Sequence, residues 1–263
     1  MTNTSVAKVA LVTGGASGIG RASAEEMTKL GFRVTIADID EPRAAAVAEK
    51  LVGASAVRVD VSDAGAMQGV ADALVDSAGR IDALITSAGV VSATALLETS
   101  PEDWEHVMSV NVGGVFNACR AVLPAMLAQG SGAIVNVASV AGLVALPSRA
   151  AYCAAKGAVI SLTRSIAIDY VDAGVRANCV CPGSIDTPWV ERLLASSETP
   201  EQLLAEIVAR QPMGRLGQPG EIAKAIAYLA NDDAAFITGS ALVIDGGLTS
   251  GLLRPNISAR QVS

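Results

Sequence analysis

The sequence predicts an α/β fold, in which a doubly wound, seven-stranded parallel sheet carries helices on both faces. Short β-type runs alternate with helix-type segments over nearly all of the 263 residues, a pattern typical of consecutive β-α units. Hydrophobic residues make up 51% of the chain and aromatic residues only 3%, so the core must be built from Ala, Val, Ile and Leu. A chain of this length can form one compact unit, and we expect a single domain over residues 1–263.

Seven segments have the length and composition of buried strands. They lie at residues 8–13, 33–38, 56–60, 81–86, 132–138, 175–180 and 241–245. Two helices between them have clear start signals: Ser100 is an N-cap before Pro101, and Pro219 opens a segment with an apolar stripe. Residues 184–218 form a longer insertion after the sixth strand, with two helix-like pieces, which we expect to act as a lid. We expect weak order in residues 250–263.

Charge and composition argue against several classes of function. The net charge of −7, without a basic patch or an aromatic stacking surface, disfavours nucleic acid and anionic lipid as partners. No apolar run approaches the roughly 18 residues that a membrane span requires. Residues 1–8 lack the apolar region and cleavage site of a secretory leader. The expected location is the cytoplasm.

The cysteines and the lone histidine lack the spacing of metal ligands. Cys119, Cys153, Cys179 and Cys181 stand in apolar, element-like contexts, and His106 has no second histidine with which to form a zinc site. We therefore expect no metal, and we expect reduced core cysteines of the kind found in cytosolic proteins.

A glycine-rich turn after the first predicted strand indicates a dinucleotide site. Gly14, Gly18 and Gly20 stand between that strand and a helix, where the turn needs unusual backbone angles, close approach to a pyrophosphate and tight helix packing. The helix N-terminus adds free N–H groups and a positive dipole end. Taken alone, the motif is equally consistent with an ordinary strand-to-helix turn.

Asp38 favours the dinucleotide interpretation. It ends the second predicted strand, 18 residues after Gly20, where a carboxylate accepts hydrogen bonds from the adenosine ribose diol and repels a 2′-phosphate. No Lys or Arg occurs in residues 36–42, and Gly15 occupies the turn position where a basic residue would meet that phosphate. The sequence therefore predicts NAD rather than NADP. The alternative is that Asp38 is only a strand-end turn residue.

Several motifs follow this turn in a fixed order along practically the whole chain: Asp60-Val61, Asn111, Ser139 and the segment YCAAK at 152–156. Together with the turn TGGASGIG at 13–20, they resemble the short-chain dehydrogenase/reductase family. The resemblance implies a single-domain Rossmann fold, a nicotinamide cofactor and a homotetramer. It also implies a catalytic tetrad of Asn111, Ser139, Tyr152 and Lys156.

The same resemblance extends the cofactor site beyond the glycines. The implied cofactor-binding residues are Gly14, Ser17, Gly18, Ile19, Gly20, Asp38, Asp60, Val61, Ala88, Gly89, Tyr152, Lys156, Pro182, Gly183, Ile185 and Thr187. Asp60 and Val61 take the adenine-pocket position of the family, and residues 182–187 take its nicotinamide side. The loop after the fourth strand departs from the family pattern, since Thr86-Ser87 replaces two asparagines, so its side-chain hydrogen bonds must differ.

Tyr152 and Lys156 are four residues apart and share one face of a helix. A phenol is a poor base near neutral pH, because its ordinary pKa is about 10. An ammonium at about 4 Å supplies roughly 4 kcal/mol toward the phenolate, and an oxidised nicotinamide adds further positive charge. The pair then predicts proton transfer to and from an alcohol, with hydride exchanged with the cofactor. The alternative is that Tyr152 is an amphipathic helix residue and Lys156 a snorkelling one.

The remaining tetrad residues have supporting roles in this interpretation. Ser139 ends the fifth strand and is expected to hydrogen-bond the substrate oxygen. Asn111 is expected to hold a water that passes the proton outward, and Lys156 to bind the nicotinamide ribose.

Arg149 stands three residues before Tyr152 and is a candidate docking group for a substrate carboxylate. The chain is similar to the subgroup that acts on small hydroxy acids and sugar acids, which implies Arg192 and Arg210 of the lid as further carboxylate ligands. The alternative for lid arginines is a solvated surface charge. Trp189 is predicted either to form an apolar wall of the pocket or to anchor the lid helix.

The leading functional hypothesis is an NAD-dependent dehydrogenase that oxidises a secondary alcohol on a small, carboxylate-bearing substrate. A second hypothesis is a dehydrogenase of neutral or cyclic alcohols, or of steroid-like ones, in which the arginines are incidental. A third is a non-catalytic scaffold that senses NAD(H), although a sensor would have no need of Tyr152.

Overall fold

The computed structural model describes residues 7–251, which contain one seven-stranded parallel sheet. The strands are β1 Val9–Thr13, β2 Arg33–Asp38, β3 Ser55–Arg58, β4 Ala83–Thr86, β5 Gly132–Val137, β6 Val175–Pro182 and β7 Ala241–Ile244. Their order in the sheet is β3-β2-β1-β4-β5-β6-β7. Because the order reverses between β1 and β4, the sheet is doubly wound, which confirms the predicted fold class.

All seven predicted strands are present, with ends that shift by a few residues. The edge strand β3 pairs only as far as Arg58, opposite Asp38, so Asp60 lies in the following loop. Strand β6 continues to Pro182 because β7 pairs with its last residues. The expectations for residues 1–6 and 252–263 lie outside the described residues.

Within residues 7–251, nine α-helices connect the strands. They are α1 Gly18–Lys29, α2 Glu41–Ala48, α3 Ala64–Ala78, α4 Pro101–Met108, α5 Gly114–Gln129, α6 Ala150–Asp169, α7 Pro188–Ala195, α8 Pro200–Ala209 and α9 Pro219–Ala230. The side chain of Ser100 accepts the N–H of Asp103 at 3.0 Å, which confirms the predicted start of α4. The start predicted at Pro219 is also confirmed.

Two apolar layers cover the sheet, one on each face. Val9 and Leu11 of β1 face the layer formed with α3, α5 and α6, whereas Ala10 and Val12 face the layer formed with α1, α2 and α9. Successive strand residues point to opposite faces, so a strand covered on both sides is apolar throughout. This explains why the strands are continuous apolar runs in the sequence.

Helices α4 and α5 form one continuous segment through a π-helical turn at Ser109–Gly113. This 29-residue segment contains a stretch with a mean hydropathy of 1.3, so by length and composition alone it is long and apolar enough to cross a membrane. Polar residues interrupt it, however, and it is not the continuous apolar run whose absence was noted from the sequence. Half of that stretch is buried, and α5 packs against α3, β4 and β5. The apolar residues of the segment therefore serve the core of the fold, as in the core helix of a soluble protein.

The predicted insertion at 184–218 contains α7 and α8, beyond the carboxyl end of β6. Its two ends meet at a bridge between Ile185 and Gly217. The segment after α8 is also fixed to the end of β7, because the N–H of Met213 donates to the carbonyl oxygen of Gly246 at 3.0 Å. The two helices of this insertion are thus anchored beside the carboxyl edge of the sheet, and its role as a lid stays a prediction.

Candidate active site

A cleft of about 600 Å³ opens beyond the carboxyl ends of the strands, at the point where the strand order reverses. Ligands of open α/β sheets bind at this position. All but one of the residues predicted for cofactor, chemistry or substrate line the cleft. They are Gly14, Ser17, Gly18, Ile19, Asp38, Asp60, Val61, Ala88, Gly89, Asn111, Ser139, Arg149, Tyr152, Lys156, Pro182, Gly183, Ile185, Thr187, Trp189, Arg192 and Arg210. The exception is Gly20, which packs against the glycine turn.

The glycine turn is packed too closely to admit side chains. Gly14 has a φ of +68°, and a Cβ on it would lie 2.5 Å from the backbone nitrogen of Ala88. A Cβ on Gly20 would lie 2.1 Å from the carbonyl oxygen of Gly14. The side chain of Ser17 makes no cap hydrogen bond at the start of α1, so the first N–H groups of this helix are available to an anion. The turn therefore fits a dinucleotide diphosphate.

Two carboxylates stand at the cofactor end of the cleft. Asp38 accepts the N–H of Ala16 on one oxygen and that of Asp40 on the other, both at 3.0 Å, which ties it to the glycine turn. One carboxylate oxygen of Asp60 accepts two hydrogen bonds from Ser62, one from the hydroxyl at 2.7 Å and one from the backbone N–H at 2.9 Å. These bonds lower the pKa of Asp60, with the side-chain bond contributing most. Both positions fit hydrogen bonding to an adenosine group.

Ser139, Tyr152 and Lys156 meet at the other end of the sheet edge. Ser139 follows β5, while Tyr152 and Lys156 lie one turn apart on α6. The Nζ of Lys156 donates to the carbonyl oxygen of Val137 at 2.9 Å and lies 5.7 Å from the centroid of the Tyr152 ring. Burial lowers the pKa of Lys156 to about 8, so its ammonium is mostly retained at pH 7.

The pKa of Tyr152 differs from the expectation that the neighbouring ammonium makes the phenol acidic. Burial raises this pKa above its ordinary value, and the hydrogen bond with Ser139 and the positive charge of Arg149 lower it by less. The ammonium of Lys156 is engaged by a backbone carbonyl oxygen, and Ser139 and Arg149, not Lys156, are the groups that lower this pKa. The protein groups alone therefore leave the phenol protonated at neutral pH.

Asn111 lies in the π-helical turn and is fully buried. Its Oδ1 accepts the N–H of Val90 at 3.1 Å, and its Nδ2 donates to the carbonyl oxygen of Val90 at 2.8 Å. These two bonds fix the loop after β4, and the water expected at Asn111 stays a prediction. At the end of β4, before that loop, Thr86 donates to Asn136 Oδ1 at 2.8 Å, where the sequence led us to expect altered hydrogen bonds.

The three predicted arginines lie at the end of the cleft that is lined by the N-terminus of α6 and by residues 184–218, the end at which a substrate is expected. The Cζ of Arg149 lies 5.8 Å from the centroid of the Trp189 ring, and Nη1 donates to the carbonyl oxygen of Ser148 at 2.7 Å. Ser148 has a φ of +51°, the only positive φ of a non-glycine residue within 7–251. Burial lowers the pKa of Arg149, and the positive charge of Arg210 lowers it further. The two guanidinium groups are therefore electrostatic neighbours.

Some cleft residues carry no clear sequence signal. His106 on α4 lines the cleft, and its charge contributes to the low pKa of Asp60. Leu146 and Ile207 add to the apolar wall. The apolar pattern of α8 could have identified Ile207, but the positions of His106 and Leu146 depend on how distant segments pack.

The cysteines lie outside the cleft lining. All four are free thiols, and Cys119, Cys179 and Cys181 are buried as predicted. Burial raises the pKa of Cys119 to about 12, so this thiol is not ionised at neutral pH. Within residues 7–251, no three His, Cys, Asp or Glu side chains are grouped to hold a metal ion.

A dinucleotide cradle shares one cleft with a half-buried tyrosine and a buried lysine, which defines the protein as an oxidoreductase. The chain belongs to the short-chain dehydrogenase/reductase family. A family model described as enoyl-(acyl carrier protein) reductase matches residues 14–249. Dehydrogenases of this family use nicotinamide cofactors, and the family resemblance predicted from the motifs is confirmed.

Characterised relatives cover nearly the whole chain. It is 43% identical to 2-(R)-hydroxypropyl-CoM dehydrogenase of Xanthobacter autotrophicus, over 93% of this chain and 100% of that protein. It is 40% identical to 2-keto-3-deoxy-L-fuconate dehydrogenase of Xanthomonas campestris, over 91% of this chain and 79% of that protein. The solved structure of aldohexose dehydrogenase from Thermoplasma acidophilum matches with a TM-score of 0.86 and 34% identity, over 97% of this chain and 98% of that chain.

Proposed function

We propose that the protein is an NAD-dependent dehydrogenase that oxidises a secondary alcohol on a small, carboxylate-bearing substrate such as a hydroxy acid or sugar acid. The distribution of charge along the cleft carries this proposal. Among the described lining residues, carboxylates occur only at Asp38 and Asp60, at the cofactor end, whereas Arg149, Arg192 and Arg210 line the substrate end. Neighbouring guanidinium groups with no lining carboxylate between them suit bidentate binding of an anion.

In the proposed reaction, Tyr152 accepts the hydroxyl proton of the alcohol as general base, and it returns the proton when a ketone is reduced. Ser139 Oγ accepts the N–H of Ala141 at 3.1 Å, and in the reaction its hydroxyl would turn its proton from the Tyr152 phenol to the substrate oxygen. Lys156 stabilises the phenolate and binds the cofactor ribose. A bound nicotinamide supplies the hydride acceptor, and its positive charge in the oxidised form favours the phenolate.

NAD is proposed over NADP because Asp38 ends β2 in the cleft lining, where a carboxylate would bind the adenosine ribose diol and repel a 2′-phosphate. We expect Asp38→Asn to lower kcat/KM for NAD about tenfold and to raise kcat/KM for NADP, since the neutral amide no longer repels a 2′-phosphate. Steady-state kinetics with both cofactors measure this change. Asp40→Asn is the matched control, because it neutralises a neighbouring carboxylate but keeps the N-cap of α2. An unchanged cofactor preference in Asp38→Asn would contradict the assignment.

The carboxylate preference can be tested by comparing an anionic with a neutral alcohol. We expect Arg149→Ala to lower kcat/KM for 3-hydroxybutyrate about 10- to 100-fold, the worth of a hydrogen bond to a charged group, and to change kcat/KM for cyclohexanol less than threefold. NADH formation by wild type and variant is the measurement. Arg120→Ala, on the exposed face of α5, is the matched control. An equal loss of kcat/KM for both alcohols would contradict the proposal that Arg149 binds the substrate carboxylate.

One alternative has an observation in its favour. Aldohexose dehydrogenase of Thermoplasma acidophilum is named for a neutral sugar, so a neutral or cyclic alcohol is the second candidate substrate class. In that case the arginines would be incidental, and cyclohexanol would be oxidised at least as well as 3-hydroxybutyrate by the wild type. The 2-keto-3-deoxy-L-fuconate named for another relative is itself a carboxylate, which favours the first class.

We also propose a cytoplasmic homotetramer without nucleic-acid or membrane partners. The net charge of −7 disfavours both kinds of partner. Leu97 and Phe236 are fully exposed apolar side chains, and contact with further copies of the chain would cover them.

A further inference from the structure

Trp189 stands where the lid meets the helix that carries Tyr152. It is the second residue of α7 and lines the cleft. The Cζ of Arg149 lies 5.8 Å from the centroid of its ring, within the range of a cation–π interaction. Because Arg149 directly precedes α6, this contact joins the lid to the catalytic helix.

The other surroundings of Arg149 on balance oppose its positive charge, since Tyr152 and Cys153 favour the charge by less than burial and Arg210 oppose it. Its hydrogen bond to Ser148 is a contact with the adjoining residue. Of the ion pairs between described residues, none includes Arg149. Burial and the charge of Arg210 both oppose the guanidinium charge. The π face of Trp189 is therefore a stabilising contact that offsets these two effects.

We propose that Trp189 is a positioning residue that holds the Arg149 guanidinium at the substrate end and thereby sets the affinity for carboxylate-bearing alcohols. The inference rests on the proposed function. It goes beyond the two roles predicted for Trp189, a pocket wall and a lid anchor, because the ring acts through the arginine. A carboxylate bound between Arg149 and Arg210 would also connect the end of α8 to the start of α6, so the charge of the substrate would help to seat the lid.

The kinetic test removes the π face and then restores part of it. We expect Trp189→Leu to raise KM for 3-hydroxybutyrate about five- to tenfold, with kcat changed less than about twofold, because the arginine is displaced while the acid–base groups stay in place. The loss of kcat/KM should be smaller for cyclohexanol, which has no carboxylate for Arg149 to bind. Trp189→Phe keeps an aromatic face and should recover most of the affinity. Trp104→Phe, on α4, is the matched control.

A binding measurement that does not depend on turnover uses the ring as its own probe. The chain has two tryptophans, so the indole emission of the Trp104→Phe variant comes from Trp189 alone. Butyrate, an unreactive carboxylate, should change this emission in a saturable way, whereas butyramide should not. Adding Arg149→Ala to the variant should abolish the response to butyrate.

Two results would overturn the positioning role. One is an equal loss on 3-hydroxybutyrate and cyclohexanol in Trp189→Leu, and the other is the same emission change with butyrate and butyramide. A failure of the proposed carboxylate preference gives a different result, since Arg149→Ala would then lower kcat/KM equally for both alcohols. If Arg149→Ala lowers kcat/KM more for 3-hydroxybutyrate than for cyclohexanol while Trp189→Leu lowers both equally, the carboxylate preference stands and only the positioning role of Trp189 is wrong.

Discussion

Replacing Tyr152 by Phe is expected to lower kcat for alcohol oxidation about a thousandfold or more, because general acid–base catalysis contributes roughly 10²- to 10⁴-fold and no other lining group is placed to replace the phenol. The ring itself is retained, so the buried apolar contacts of α6 stay in place. Binding of NADH should therefore change less than about threefold. Single-turnover kinetics with 3-hydroxybutyrate, together with NADH titration, measure both quantities on one preparation.

A suitable control for this variant is Tyr228→Phe, which removes a half-exposed phenol from α9. It should leave kcat unchanged. A Tyr152→Phe enzyme that keeps more than about a tenth of wild-type kcat would exclude Tyr152 as the acid–base group. If the wild type oxidises no alcohol of a broad panel and still binds NADH, the scaffold that senses NAD(H) becomes the better description.

The sheet and the cofactor turn were predictable because their signals are local. Strand β1 is apolar throughout since both of its faces are covered, and such a run does not depend on distant contacts. Gly14 and Gly20 must be glycines because a Cβ on either would collide with backbone atoms, of the loop after β4 for Gly14 and of the glycine turn itself for Gly20. Asp38 follows from its place at the end of β2. These residues therefore reveal their positions before the fold is known.

The substrate end was predictable only as a set of residue types. That Arg149 and Arg210 become neighbours depends on how α7 and α8 fold back, and helix patterns do not encode that arrangement. The left-handed backbone of Ser148 has no signal either, because serine rarely adopts it. For Asn111, the motif identifies the residue but not the contact with Val90, which arises from the π-helical turn.

The proton affinity of Tyr152 illustrates the same limit. Spacing on a helix predicts the neighbouring ammonium, but it does not reveal the depth of burial, which raises the pKa of the phenol. Nor does it reveal that the ammonium of Lys156 bonds the carbonyl oxygen of Val137. Charge in a buried site is set by all surrounding groups together, so a pair taken from sequence gives only one contribution.

The second large effect is expected from Gly20→Ala. The new Cβ would lie 2.1 Å from the carbonyl oxygen of Gly14 and 3.1 Å from the Cα of Gly15, and backbone atoms cannot rotate away as a side chain can. The start of α1 must therefore move from the glycine turn. We expect the loss of charge-assisted hydrogen bonds to the diphosphate to weaken NAD binding about 100-fold or more. Overpacking of this kind lowers the free energy of unfolding by about 1–3 kcal/mol.

Calorimetric titration measures the loss of NAD affinity in Gly20→Ala, and thermal unfolding measures the loss of stability. The matched control is Gly69→Ala in the middle of α3, where a Cβ would meet no atom within 4 Å. That change should leave NAD binding unaltered and stabilise the protein by roughly 0.5–1 kcal/mol, since alanine favours helix over glycine. Wild-type NAD affinity in Gly20→Ala would show that the diphosphate does not bind at the start of α1. The cofactor would then have to bind elsewhere in the cleft, and Asp38 would lose its assigned partner.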